Sequence, residues 1–159
     1  MSKSSPTPTI PASQGDSPPP TPTPMTEIVS GESWYTTPLT FFVLGASGDL
    51  ALKKTYPSLF SLYTSDLLPP RFQIVGYART AKSVEEFRER IGGNLKGEGK
   101  DAFLSKCLYV SGKSYGDVES FRALSAAARG FDPQCNKLWY FAIPASAFGD
   151  AAAAIRGVT

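Results

Sequence analysis

From residue 39 onward the apolar positions switch period in a regular alternation. Residues 39–44 (LTFFVL) form an unbroken apolar run closed by glycine, the pattern of a strand buried on both faces of a parallel sheet. Across 50–65 the apolar residues fall at 52, 56, 59, 60 and 63, a helical spacing. Pro57 sits inside that stretch and removes the backbone bond to Lys53, which predicts a kinked helix. Residues 73–77 (QIVGY) read as a second strand. Residues 83–91 (SVEEFRERI) read as a helix with Ser83 at its N-cap and Glu86 three positions on, the signature of a capping box. A Gly/Lys-rich loop is expected over 92–100. Residues 108–110, 118–128 and 137–143 then read as strand, helix and strand, and 148–155 begins another helix.

Strands alternating with helices imply right-handed crossovers and an open parallel sheet. The expected fold class is α/β: a Rossmann-like doubly wound parallel sheet spanning residues 39–159. Four strands make little more than half of such a sheet, so the domain is expected to be incomplete and the chain a fragment.

Residues 1–38 have another character. The first 24 residues hold eight prolines and nine Ser or Thr, with no aromatic residue. Such a segment cannot bury enough apolar surface to offset its chain entropy, so a disordered tail is expected. Residues 25–38 form a polar lead-in whose Trp34 and Tyr35 are placed to pack on the domain edge. The tail carries neither the apolar core of a secretory signal nor an Arg-rich amphipathic presequence, and a cytoplasmic protein is expected. No apolar run approaches the ~18 residues of a membrane span. The formal charge of +2 is too small to argue for nucleic acid or an acidic membrane.

Two further counts narrow the chemistry. Cys107 and Cys135 have no histidine or third cysteine to complete a zinc site, so no metal is expected; two buried, reduced thiols are. The complete absence of histidine closes every mechanism that needs an imidazole base from this chain.

The chemistry-bearing segment is GASGDLA, residues 45–51. Gly45 permits the sharp turn from strand to helix, Gly48 lets backbone approach a pyrophosphate, and Ala51 is small enough for close helix–strand packing. The N–H groups at the helix start, at the positive end of its dipole, are the phosphate donors. Ser47 can add a hydroxyl. A carboxylate beside a pyrophosphate would repel it, so Asp49 is expected to cap backbone N–H groups instead.

After the second strand, NAD-binding domains place an acid that accepts from the ribose 2′-hydroxyl. Here the order is VGYART, with no acid until Glu85. Arg79 stands in that place and favours a 2′-phosphate, which points to NADP. Short-chain reductases open on a similar turn, but they need a Tyr-x-x-x-Lys pair on a later helix, and none is expected in this chain.

Taken together, GASGDLALKK, YPSLFSLYTSDLLP and VGYAR resemble the amino-terminal part of the glucose-6-phosphate dehydrogenase family, strongly over 41–79 and more loosely to 159. The resemblance implies oxidation of glucose 6-phosphate by hydride transfer to NADP, giving 6-phosphogluconolactone. It implies that Gly45, Ala46, Ser47, Gly48, Asp49, Leu50, Ala51 and Leu52 line the pyrophosphate, that Arg79 holds the 2′-phosphate, and that Lys54 reaches the substrate. Two positions depart from the family pattern: Ala145 follows Pro144 where a second proline is usual, and Phe148 replaces a tyrosine. The family's general base is a histidine, and its chains are several times longer. No catalytic residue is therefore expected in this chain, and the complete protein is expected to be a homo-oligomer. A stand-alone NADP-sensing module is the alternative.

Overall fold

A computed structural model describes residues 31–159. The expected disordered tail lies outside the described residues, as does the start of the lead-in. Four strands form one parallel sheet: β1 (Leu39–Leu44), β2 (Phe72–Ala78), β3 (Cys107–Ser111) and β4 (Asn136–Phe141), in the order β3-β2-β1-β4. All three pairings are parallel, as the apolar runs demand. The helices are α1 (Ser33–Thr36), α2 (Tyr56–Thr64), α3 (Val84–Gly92), α4 (Lys100–Ser105), α5 (Val118–Phe131) and α6 (Phe148–Arg156).

Alternate strand residues enter two separate cores, one on each face of the sheet. Val43 and Ile74 pack with Tyr56, Phe87 and Phe103 from α2, α3 and α4. Phe42, Val75 and Tyr77 pack with Phe121, Leu124 and Ala151 from α5 and α6. Helices on both faces make the sheet doubly wound. Within the second core, Trp139 stacks on Phe42 with ring centroids 3.9 Å apart.

Three local features differ from the sequence expectations. Ahead of Pro57 the helix is π-helical over Ala51–Thr55, with the Tyr56 N–H reaching the Ala51 carbonyl. The proline therefore occupies the first turn of α2, where a missing N–H costs little, and the adjustment is a wide turn in place of a simple kink. Helix α4 lies where the Gly/Lys-rich loop was expected to run out. It has only six residues and starts after Gly99 at φ +80°, too short to show a period. The fourth strand ends at Phe141, not 143, because the chain must turn away beside Gly45. The capping box on α3 is present as expected: the Glu86 N–H donates to Ser83 Oγ, and the Ser83 N–H to Glu86 Oε2. In the lead-in, Tyr35 ties to the domain by donating to the Asp66 carbonyl at 2.9 Å, whereas Trp34 is 44% exposed. Both cysteines are buried and unbonded to each other.

No helix among the described residues is long and apolar enough to cross a membrane.

Candidate functional site

The carboxyl edge of the sheet carries the turn. Gly45 leaves β1 at φ +82°, and a Cβ there would lie 2.2 Å from the Ala142 carbonyl oxygen; only glycine fits, on both counts. The N–H groups of Gly45 and Ala46 donate to the Tyr77 carbonyl at 2.8 and 3.0 Å, which fastens the turn to β2. The Gly48 N–H returns to the Gly45 carbonyl, and the Leu52 N–H donates to the Gly48 carbonyl as the first intrahelical bond. Gly48 is thus the N-cap. The N–H groups of Ser47, Asp49, Leu50 and Ala51 have no acceptor among the described residues, as expected of a helix start. Ala46, Ala51 and Leu52 turn their side chains into the core, while Gly48, Asp49 and Leu50 are exposed.

Asp49 does not cap. Its carboxylate pairs with Lys53 Nζ at 2.9 Å, one helical turn on, and both side chains are largely exposed. The helix begins one residue earlier than a capping Asp49 requires, so its side chain is already past the cap position. Lys54 is exposed, with no ion-pair partner among the described residues.

Arg79 leaves the end of β2 into solvent, and its guanidinium carbon lies 5.7 Å from the ring centre of Tyr115. The sequence reading missed Tyr115. Its signal was an aromatic residue a few positions past the third strand, on the same sheet edge as the glycine turn. Between these groups lies a cleft of about 230 Å³ lined by Gly45, Ser47, Gly48, Arg79, Thr80 and Tyr115, with Ala142 to Pro144 opposite. No carboxylate lines it. Burial pushes the phenols of Tyr77, Tyr109 and Tyr115 up. Arg79 partly offsets the effect at Tyr115, and the Ser47 hydroxyl does so at Tyr109. All three are proton donors at neutral pH.

A larger hollow, about 730 Å³, lies between α2 and the 94–99 loop. It shares no residue with the turn, and the carboxylates of Asp66 and Glu98 line it, which disfavours a phosphate, so the smaller cleft is the better candidate. The Tyr-x-x-x-Lys spacing does occur, at Tyr109 and Lys113. Tyr109 is on β3, however, and Lys113 is in the loop beyond it, so the two do not share a helical face.

Comparison with known proteins agrees with this geometry. Residues 42–159 match the family described as "Glucose-6-phosphate dehydrogenase, NAD binding domain". A glucose-6-phosphate 1-dehydrogenase of Dictyostelium discoideum is 46% identical over 127 residues, 75% of this chain and 25% of that protein. A chloroplastic one of Solanum tuberosum is 39% identical over 138 residues, 80% of this chain and 23% of that protein. A solved glucose-6-phosphate dehydrogenase in complex with glucose 6-phosphate superposes with a TM-score of 0.70. It is 32% identical, over 76% of this chain and 27% of the other. The chain therefore spans about a quarter of the length of these relatives. With the parallel sheet, the glycine turn and the matched residues in agreement, the chain belongs to the NAD-binding domain family of the glucose-6-phosphate dehydrogenases.

Proposed function

We propose that this chain holds the adenosine and pyrophosphate part of NADP within a glucose-6-phosphate 1-dehydrogenase. The observation that carries the reading is one cleft, lined by Gly45, Ser47 and Gly48 of the turn and by Arg79 but by no carboxylate, beside a helix start whose N–H groups at 47 and 49–51 are unbonded. The residues fit such a group: the turn is a cradle that a Cβ at Gly45 would disrupt, and its donors carry the polarity a phosphate requires. The cleft is smaller than the ~300–1,000 Å³ of a pocket for a whole small ligand, which suits one end of a dinucleotide.

In this reading the unbonded N–H groups of Ser47, Asp49, Leu50 and Ala51 orient the pyrophosphate, and Arg79 neutralises the 2′-phosphate that distinguishes NADP from NAD. Lys54, exposed on the helix that starts at the turn, meets the phosphorylated sugar. The bound nicotinamide would accept hydride from C1 of glucose 6-phosphate, giving 6-phosphogluconolactone, the first oxidative step of the pentose phosphate pathway. This chain has no histidine and contributes binding and orientation, with the proton taken by a base outside it. The buried free thiols suit a reducing, cytoplasmic setting, and the working enzyme is a homo-oligomer.

The test is a charge reversal. Arg79→Asp should weaken NADP binding by about 100-fold, the equivalent of a lost charge-assisted pair, and change NAD binding little. Equal losses for the two cofactors would remove Arg79 from the 2′-phosphate site. Failure of the full-length protein to reduce NADP with glucose 6-phosphate would overturn the wider reading.

A further inference from the structure

Two buried phenols brace the cleft from opposite faces of the sheet. Tyr77 is on β2, yet its hydroxyl donates to the carbonyl of Ser114 in the loop after β3, at 2.7 Å. Tyr109 is on β3, and its hydroxyl donates to the carbonyl of Thr80 in the loop after β2, at 2.6 Å. Each strand thus ties down its neighbour's loop. The tied carbonyls adjoin the two residues that face each other across the cleft: Arg79 precedes Thr80, and Tyr115 follows Ser114.

The rings alone do not explain the hydroxyls. Tyr77 packs against Phe121 and Tyr115, with ring centres 5.4 and 5.9 Å away. Tyr109 packs against Phe87 at 4.6 Å. Phenylalanine would fill the same space without burying a polar atom. Room is also left for the Tyr77 hydroxyl, since a Cβ on Gly112 would lie 2.2 Å from it. What the hydroxyls add is a fixed position for two loop carbonyls, and so for the backbone that carries Arg79 and Tyr115.

We propose that Tyr77 and Tyr109 are positioning residues for cofactor choice, holding Arg79 and Tyr115 face to face before the 2′-phosphate of NADP arrives. The ordering of both loops is then met in folding and not charged to the ligand. This rests on the assignment of Arg79 to the 2′-phosphate.

Titration calorimetry of the protein with NADP and with NAD tests the proposal, in wild type, Tyr77→Phe, Tyr109→Phe and Arg79→Ala, and with each Phe change added to Arg79→Ala. Loss of one hydrogen bond should weaken NADP binding by about three- to tenfold in each Phe variant. NAD affinity should stay within about twofold, and it serves as the control for folding. In the Arg79→Ala background the same changes should alter NADP affinity by less than about twofold, because the positioned group is gone. Equal losses for NADP and NAD, or losses that persist without Arg79, would overturn the proposal and make the two phenols simply structural. If Arg79→Ala itself leaves the NADP to NAD ratio unchanged, the 2′-phosphate assignment falls, and the positioning role with it.

Discussion

Strands β2 and β4 flank β1 on its two sides and pair with it over the same six residues, yet they live in different surroundings. All seven residues of β2 are buried, covered by α3 on one face and α5 on the other. In β4, Leu138 is 42% and Tyr140 38% exposed, although both belong to its apolar run LWYF. Backbone pairing is thus the same on both sides, and side-chain cover is what separates them. The fully covered strand is also the one that delivers chemistry: β2 supplies the carbonyl that pins the glycine turn, the Tyr77 brace and, at its end, Arg79. A rigid strand places such groups better than a half-covered one.

The sharpest way to break this contrast is a matched pair of truncations. Ile74→Ala in β2 should cost about 2–5 kcal/mol, as for other fully buried aliphatic residues. Leu138→Ala in β4 should stay within about 0.5 kcal/mol. Urea unfolding midpoints at constant slope measure both, and equal losses would show that pairing, not cover, sets the difference. Next in size is Gly76→Ala. Its Cβ would come within 2.6 Å of Phe87 Cζ, 2.8 Å of the Ala46 Cβ and 2.9 Å of the Tyr56 hydroxyl. Overpacking of this kind costs about 1–3 kcal/mol, readable as a fall in melting temperature; a neutral change would mean that the two helices can give way.

The smallest effect concerns reactivity. Burial pushes the Cys107 thiol up to about 12, so at pH 8 only about one molecule in 10⁴ carries the thiolate. Cys107 lies next to β2 and should react only slowly with a thiol reagent in the folded protein, its rate there rising about tenfold per pH unit below 12. Cys135 precedes β4 and is 9% exposed, so on access alone it should react first. Mass mapping of the labelled site decides the order, and early labelling at Cys107 would contradict the depth assigned to β3.

Much of this was legible in the residues themselves. The run 39–44 closing on glycine located β1 and the turn, because a doubly covered strand leaves no polar positions. Ser83 and Glu86 announced α3 through bonds made within four residues. Local signals failed where the cause was distant. Helix α4 is too short for a period, and β4 stops at Phe141 because the Ala142 carbonyl packs against Gly45. Asp49 misled because its competing partner, Lys53, binds the carboxylate only once the helix start is fixed. Nothing near Tyr77 or Tyr109 in sequence reveals that each hydroxyl serves the other's loop, since that depends on which strands become neighbours.

The π-helical stretch Ala51–Thr55 has a consequence for phase. Buried residues recur at 51 and 52, 55 and 56, then 59 and 60, a step of four, where an α-helix steps about 3.6 and its stripe would drift. One wide turn absorbs the surplus and keeps both halves facing the sheet. Deleting a single residue within it would leave the two stripes aligned on an ordinary α-helix. It would also bring the Pro57 ring against a carbonyl four positions back, at about 3 kcal/mol. The wide turn can therefore be removed from the helix only together with the proline.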